Sequence, residues 1–110
     1  MLRKIKDCSK DIKFATIIDY IDAYFDFEPC AFLNGTLENA AGQNSGSNKV
    51  FQFGILEKLN KEQTLACFGE YYQIEVLGKP DETNHQNIRN FMEYGFDGLK
   101  FETLTLRLKE

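Results

Sequence analysis

The sequence predicts a single small domain of mainly α class, with about four helices, a small β-hairpin and a short extended C-terminal segment. Three observations carry this reading. Apolar residues recur three and four apart in four separate stretches, the period of a one-faced helix. Helix starts (Asn, Ser, Thr) and stops (Gly, Pro) fall between those stretches. The chain of 110 residues fits one domain, and its ten Phe and five Tyr supply a core that needs neither metal nor disulfides.

The first stripe is Phe14, Ile17, Ile18, Ile21 and Phe25, with Asp11, Asp19 and Asp22 off it; Pro29 closes the region. Asn34–Gly35 follows, the best two-residue hairpin signal, which would set Phe32 opposite Leu37. A plain loop is the alternative. The second helix, capped by Ser45 or Ser47, carries Val50, Phe51, Phe53, Ile55, Leu56 and Leu59. The third starts near Asn60, with Gln63 at capping-box spacing, and continues through Leu65, Phe68, Tyr72 and Val76 to a stop at Gly78 and Pro80. The fourth opens at Thr83 or Asn84, buries Ile88, Phe91 and Met92, and ends at Gly95. The tail alternates through Leu99–Glu102 and Leu104–Leu108, which suits a strand or an extended packed segment.

Net charge is −4, and the Lys and Arg residues are scattered. Phosphate neutralisation needs a concentrated basic face, so neither nucleic acid nor an anionic membrane is an expected partner. Cys8, Cys30 and Cys67 form no paired spacing and read as reduced structural thiols. No apolar run is long enough to span a bilayer, and the start lacks the apolar core of a cleaved signal peptide. A cytoplasmic site of folding is expected.

Two amide-rich segments hold the candidate chemistry: Asn39–Lys49 and Thr83–Phe91. Asn and Gln side chains both donate and accept, so these stretches are dense in hydrogen-bonding capacity. If they meet, Gln43, Asn44, Ser47, His85, Asn87 and Arg89 would form a ligand-binding site. His85 is the only histidine and the best candidate for acid–base chemistry. Ser45, Ser47 and Cys67 are possible nucleophiles, but none has a nucleophile context, and an apolar stripe would raise the Cys67 pKa. Glu70, Asp81 and Glu82 with one histidine make no metal spacing, so no metal or cofactor is expected. Arg89 lies four residues after His85, and an internal carboxylate such as Glu70 is its expected partner. The Gly42–Ser47 run looks like a phosphate loop but lacks the Gly-Lys-Ser/Thr ending; turn chemistry with a helix cap is the leading reading, and anion binding by the backbone amides before the second helix is the alternative.

Several longer runs carry a family resemblance: Met1–Lys6, Ala41–Asn44, Gly46–Ser47, Thr64–Tyr72 and His85–Met92. Through them the chain, from Met1 to about Phe101, resembles the HopJ family of type III secretion effectors. The resemblance implies a small domain of unexplained biochemical activity and a route of secretion into a host cell, and it carries over no catalytic residues. The leading expectation is a protein that binds a protein partner or small ligand through the polar site. A small hydrolase-like enzyme using His85 is the second reading. Purely architectural roles for both amide-rich segments are the third.

Overall fold

The central helix is the one with apolar and amide residues on every side. In a computed structural model describing residues 2–110, Asn48, Val50, Phe51, Gln52, Phe53 and Gly54 are all buried on one 12-residue helix, Ser45–Leu56. A helix covered all round must have neighbours all round. In chain order these are α1 (Leu2–Lys6), α2 (Phe14–Tyr24), β1 (Phe25–Asp26), β2 (Phe32–Asn34) and β3 (Leu37–Asn39). The central α3 follows, then α4 (Lys61–Ala66), a π-helical turn (Tyr71–Val76) and α5 (Gln86–Tyr94). A 3₁₀ turn (Gly95–Gly98), β4 (Leu99–Phe101) and β5 (Arg107–Leu108) complete the order.

Phe51 and Phe53 point to opposite halves of the core. The Phe51 ring packs on Phe68 at 5.4 Å and Phe91 at 4.9 Å, tying α3 to α5 and the end of α4. The Phe53 ring meets Phe25 edge-on at 5.7 Å and Tyr20 at 6.0 Å, tying α3 to α2 and β1. Such aromatic pairs add about 0.5–1.5 kcal/mol beyond the area they bury.

The expectation of a mainly α fold is met only in part. About half of the residues are helical, and two small antiparallel sheets complete the domain. One sheet has the order β3-β2-β4, and the other pairs β1 with β5. The tail therefore supplies a strand to each sheet. Phe101 pairs with Phe32 and stacks on it at 5.3 Å; Leu108 pairs with Phe25.

Gln52 holds the link between those two strands. Its Oε1 accepts the backbone N–H of Thr105 (2.7 Å) and Leu106 (2.9 Å), and its Nε2 donates to Asn48 Oδ1 (2.7 Å). A fully buried amide here satisfies backbone groups that no ladder reaches.

Four local expectations need correcting. The hairpin turns at Gly35–Thr36, not Asn34–Gly35, so Phe32 pairs with Asn39 and Leu37 with Asn34. Asn34 is drawn into the sheet because its Nδ2 donates to Asn87 O at 2.8 Å. Gly35 takes the positive φ (+63°) alone, as a turn with Gly in first place requires. The helix from Asn60 does not run to Val76. Its capping box forms as expected, with Gln63 N donating to Asn60 Oδ1 at 2.8 Å, but α4 ends at Ala66. Gly69, at φ +57°, breaks it: a Cβ there would lie 2.6 Å from Phe14 N and 2.7 Å from Ile12 O. Only glycine allows that backbone approach. The chain resumes as a π turn, which period counting does not anticipate.

The last two corrections concern helix starts. Neither Ser45 nor Ser47 caps α3: Asn44 stands at its start in left-handed conformation (φ 53°) with no side-chain cap. The last long helix opens at Gln86 rather than Thr83 or Asn84, and His85 precedes it in the same conformation (φ 52°). The helix α1 was not anticipated at all. It is one short turn and a half whose only buried residue is Ile5.

Candidate functional site

The two amide-rich segments meet. Asn39 is the knot between them. Its Oδ1 accepts from Asn44 Nδ2 at 2.7 Å and from Asn87 Nδ2 at 2.9 Å. Asn87 Oδ1 in turn accepts from Asn34 Nδ2 at 3.0 Å and Asn39 Nδ2 at 3.3 Å. Asn90 Nδ2 adds a bond to Asn34 O at 2.9 Å. Asn34, Asn39 and Asn87 are buried, and each such bond in a low-dielectric interior costs more to break than it would in water. The network fixes the start of α5 against the hairpin and the start of α3.

Between the two helix starts lies a cleft of about 390 Å³. Asn44, Gly46 and Ser47 border it from α3, and His85, Gln86, Asn87 and Ile88 from α5. Phe14, Phe68 and Tyr71 form an aromatic wall, with the Phe14 ring 4.9 Å from Tyr71 and 6.1 Å from Phe68. Among the described residues, no Asp or Glu lines it.

The left-handed residues before each helix shape the donors here. The first helical backbone bonds run from Asn48 N to Asn44 O (3.0 Å) and from Arg89 N to His85 O (3.1 Å). The N–H groups of Ser45, Gly46 and Ser47, and of Gln86, Asn87 and Ile88, precede those bonds and have no side-chain cap. Such groups carry the positive end of the helix dipole and seek an acceptor.

His85 has a partner that sequence reasoning missed. Its Nε2 lies 2.8 Å from Glu75 Oε1, and its ring stacks on Tyr71 at 5.1 Å and 24°. Tyr71 and Glu75 both ride on the π turn. The pair is ten residues apart and spans a loop, so no helical spacing could have announced it. Its one prior signal was a carboxylate near the histidine in the chain.

Two expected site residues stand elsewhere. Gln43 Oε1 accepts from Ala40 N at 3.0 Å, closing the turn before α3. Among the described residues, Arg89 pairs with no carboxylate. Its guanidinium donates to the carbonyls of Asn84 (2.6 Å), Lys79 (3.0 Å) and Pro80 (3.2 Å), and to Asn84 Oδ1 (2.9 Å). It braces the 79–84 loop. Glu70, the carboxylate expected for Arg89, instead accepts the backbone N–H of Phe14 at 2.7 Å, and that bond holds its pKa below the usual carboxylate value. Of the possible nucleophiles only Ser47 borders the cleft. Burial pushes the Cys67 thiol up to about 12, as its apolar stripe implied.

Fold and cleft together define a small α+β domain with a polar cleft at two helix starts. The chain belongs to the HopJ type III effector family: the family described as "HopJ type III effector protein" matches residues 1–106. It is also similar to a protein of unknown function, VPA0580, whose crystal structure shares the fold with a TM-score of 0.95. That likeness has 46% sequence identity and covers 98% of this chain and 90% of the other. No curated protein matches the chain. No helix is long and apolar enough to cross a membrane among the described residues.

Proposed function

We propose that this HopJ-family protein is a binding protein, and that a small ligand rich in hydrogen-bond acceptors occupies the cleft between the starts of α3 and α5. The observation that carries the reading is the convergence of two uncapped helix starts on one cavity. Asn44 and His85 hold the left-handed conformation that turns the chain into each helix start, a conformation Asn and His adopt more readily than most residues. Asn44, Ser47, His85 and Asn87 border the ligand in this reading; Gln43 and Arg89 support it from outside. A short segment of a partner protein is the alternative occupant, whereas neither nucleic acid nor a membrane surface fits the scattered positive charge. Membership of an effector family supports synthesis in a bacterial cytoplasm and delivery by a type III route.

The test is a metabolite-library thermal shift followed by amide chemical-shift mapping. A specific ligand at a hundredfold excess over its Kd stabilises the native state by about 2.7 kcal/mol. The amides of residues 45–47 and 86–88 are expected to move most, and Ser47→Ala to weaken binding roughly threefold to tenfold. Hits that shift only other surfaces would overturn the assignment.

A further inference from the structure

The partnership of His85 with Glu75 goes beyond binding. Glu75 Oε1 sits 2.8 Å from His85 Nε2, with side chains 39% and 25% exposed. A neutral imidazole facing a carboxylate at that distance must carry its proton on Nε2. Nδ1 is then the basic nitrogen. It is also the nitrogen left free, because the His85 ring makes no capping bond to α5. Stacking on Tyr71 holds the ring plane. A base oriented by a carboxylate, at the edge of a cavity whose backbone N–H groups lack partners, has the parts of an acyl-transfer site.

We infer that the cleft hydrolyses a small carboxylic ester, with His85 as catalytic base and Glu75 as the residue that positions it. The inference rests on the ligand-binding reading of the same cleft. In the step, His85 Nδ1 takes a proton from water as the water oxygen bonds to the acyl carbon. The carbonyl π electrons move onto oxygen, and the uncapped N–H groups of a helix start stabilise the oxyanion. The oxyanion then re-forms the carbonyl, the bond to the alkoxide breaks, and His85 returns the proton to the departing oxygen. Acid and alcohol are the products, and water is the only co-reactant.

The probe is p-nitrophenyl acetate, followed by p-nitrophenolate release. The informative variant is His85→Asn, since Asn tolerates the φ of 52° that Ala does not. Wild type should exceed His85→Asn by about a hundredfold in kcat. Glu75→Gln should lower kcat about tenfold and leave KM unchanged, a split that a merely structural residue would not give. Ring ¹⁵N spectra of wild type should show the Nε2–H tautomer. Equal rates in wild type and His85→Asn, or an Nδ1–H tautomer, would overturn the inference. Ligand shifts at residues 45–47 that persist in His85→Asn would then show that binding stands without catalysis; loss of both would sink the cleft reading too.

Discussion

Asn87→Asp isolates the asparagine network with a near-isosteric change. Asn87 is 5% exposed, and its Nδ2 donates to Asn39 Oδ1 at 2.9 Å. An ionised Asp places an oxygen there, so the bond becomes a repulsion and a buried charge appears. The lost donor costs about 1–3 kcal/mol. The charge cannot cost more than protonating it: about 4 kcal/mol at pH 7 for a carboxyl of ordinary pKa near 3.9. The second position of α5 favours a negative charge and returns about 0.3–1 kcal/mol. The net destabilisation is about 3 kcal/mol at pH 7, or roughly 12–15 °C in Tm for a domain of this size. The sign with pH follows from protonation. Burial and the facing Asn39 Oδ1 raise the folded pKa of the introduced Asp by more than the Asn34 and Asn39 amide donors on its other oxygen lower it, so the folded state binds the proton more tightly than the unfolded one. The penalty is largest above the raised pKa and shrinks as pH falls through it, because the protonated carboxyl donates to Asn39 Oδ1 again. Urea unfolding of wild type and variant at pH 7 and at pH 5 reads both effects. A penalty under about 1 kcal/mol at pH 7, or one that does not shrink at pH 5, would refute the reasoning.

Two more predictions concern the frame around the cleft. Gly69→Ala forces a Cβ to within 2.6 Å of the Phe14 backbone at a φ of +57°, and should cost about 2–4 kcal/mol by denaturant unfolding. Glu70→Gln should cost about 1 kcal/mol at neutral pH, since a partly exposed charged hydrogen bond is screened. Because the Phe14 N–H holds the Glu70 pKa down, that contribution is present above the ordinary carboxylate value and is lost as pH falls through the lowered one. Wild type and Glu70→Gln should therefore converge in stability in acid, which Tm against pH would check.

Local chemistry alone determined several features of this protein. Asn60 with Gln63 announced a capping box because a cap needs only residues three apart. Ile17, Ile21, Ile88 and Phe91 were legible as core because helical period marks one face, whereas Phe51 and Phe53, on opposite sides of α3, were legible only as large apolar residues. The meeting of the two amide-rich segments was readable as a possibility, from nothing more than their density of donors and acceptors. Tertiary structure decided the rest. Asn34 left the turn because Asn87, 53 residues away, took its amide. Gly69 broke a continuous apolar stripe because the backbone near Ile12 presses on it, a contact no window of sequence contains. The C-terminal tail became strands because β1 and β2 offered edges. Arg89 and Gln43 were spent on carbonyls and turns that exist only once the loops are closed. Glu75 came to His85 for the same reason: long-range partners are chosen by packing, and the chain's own periodicity does not record them.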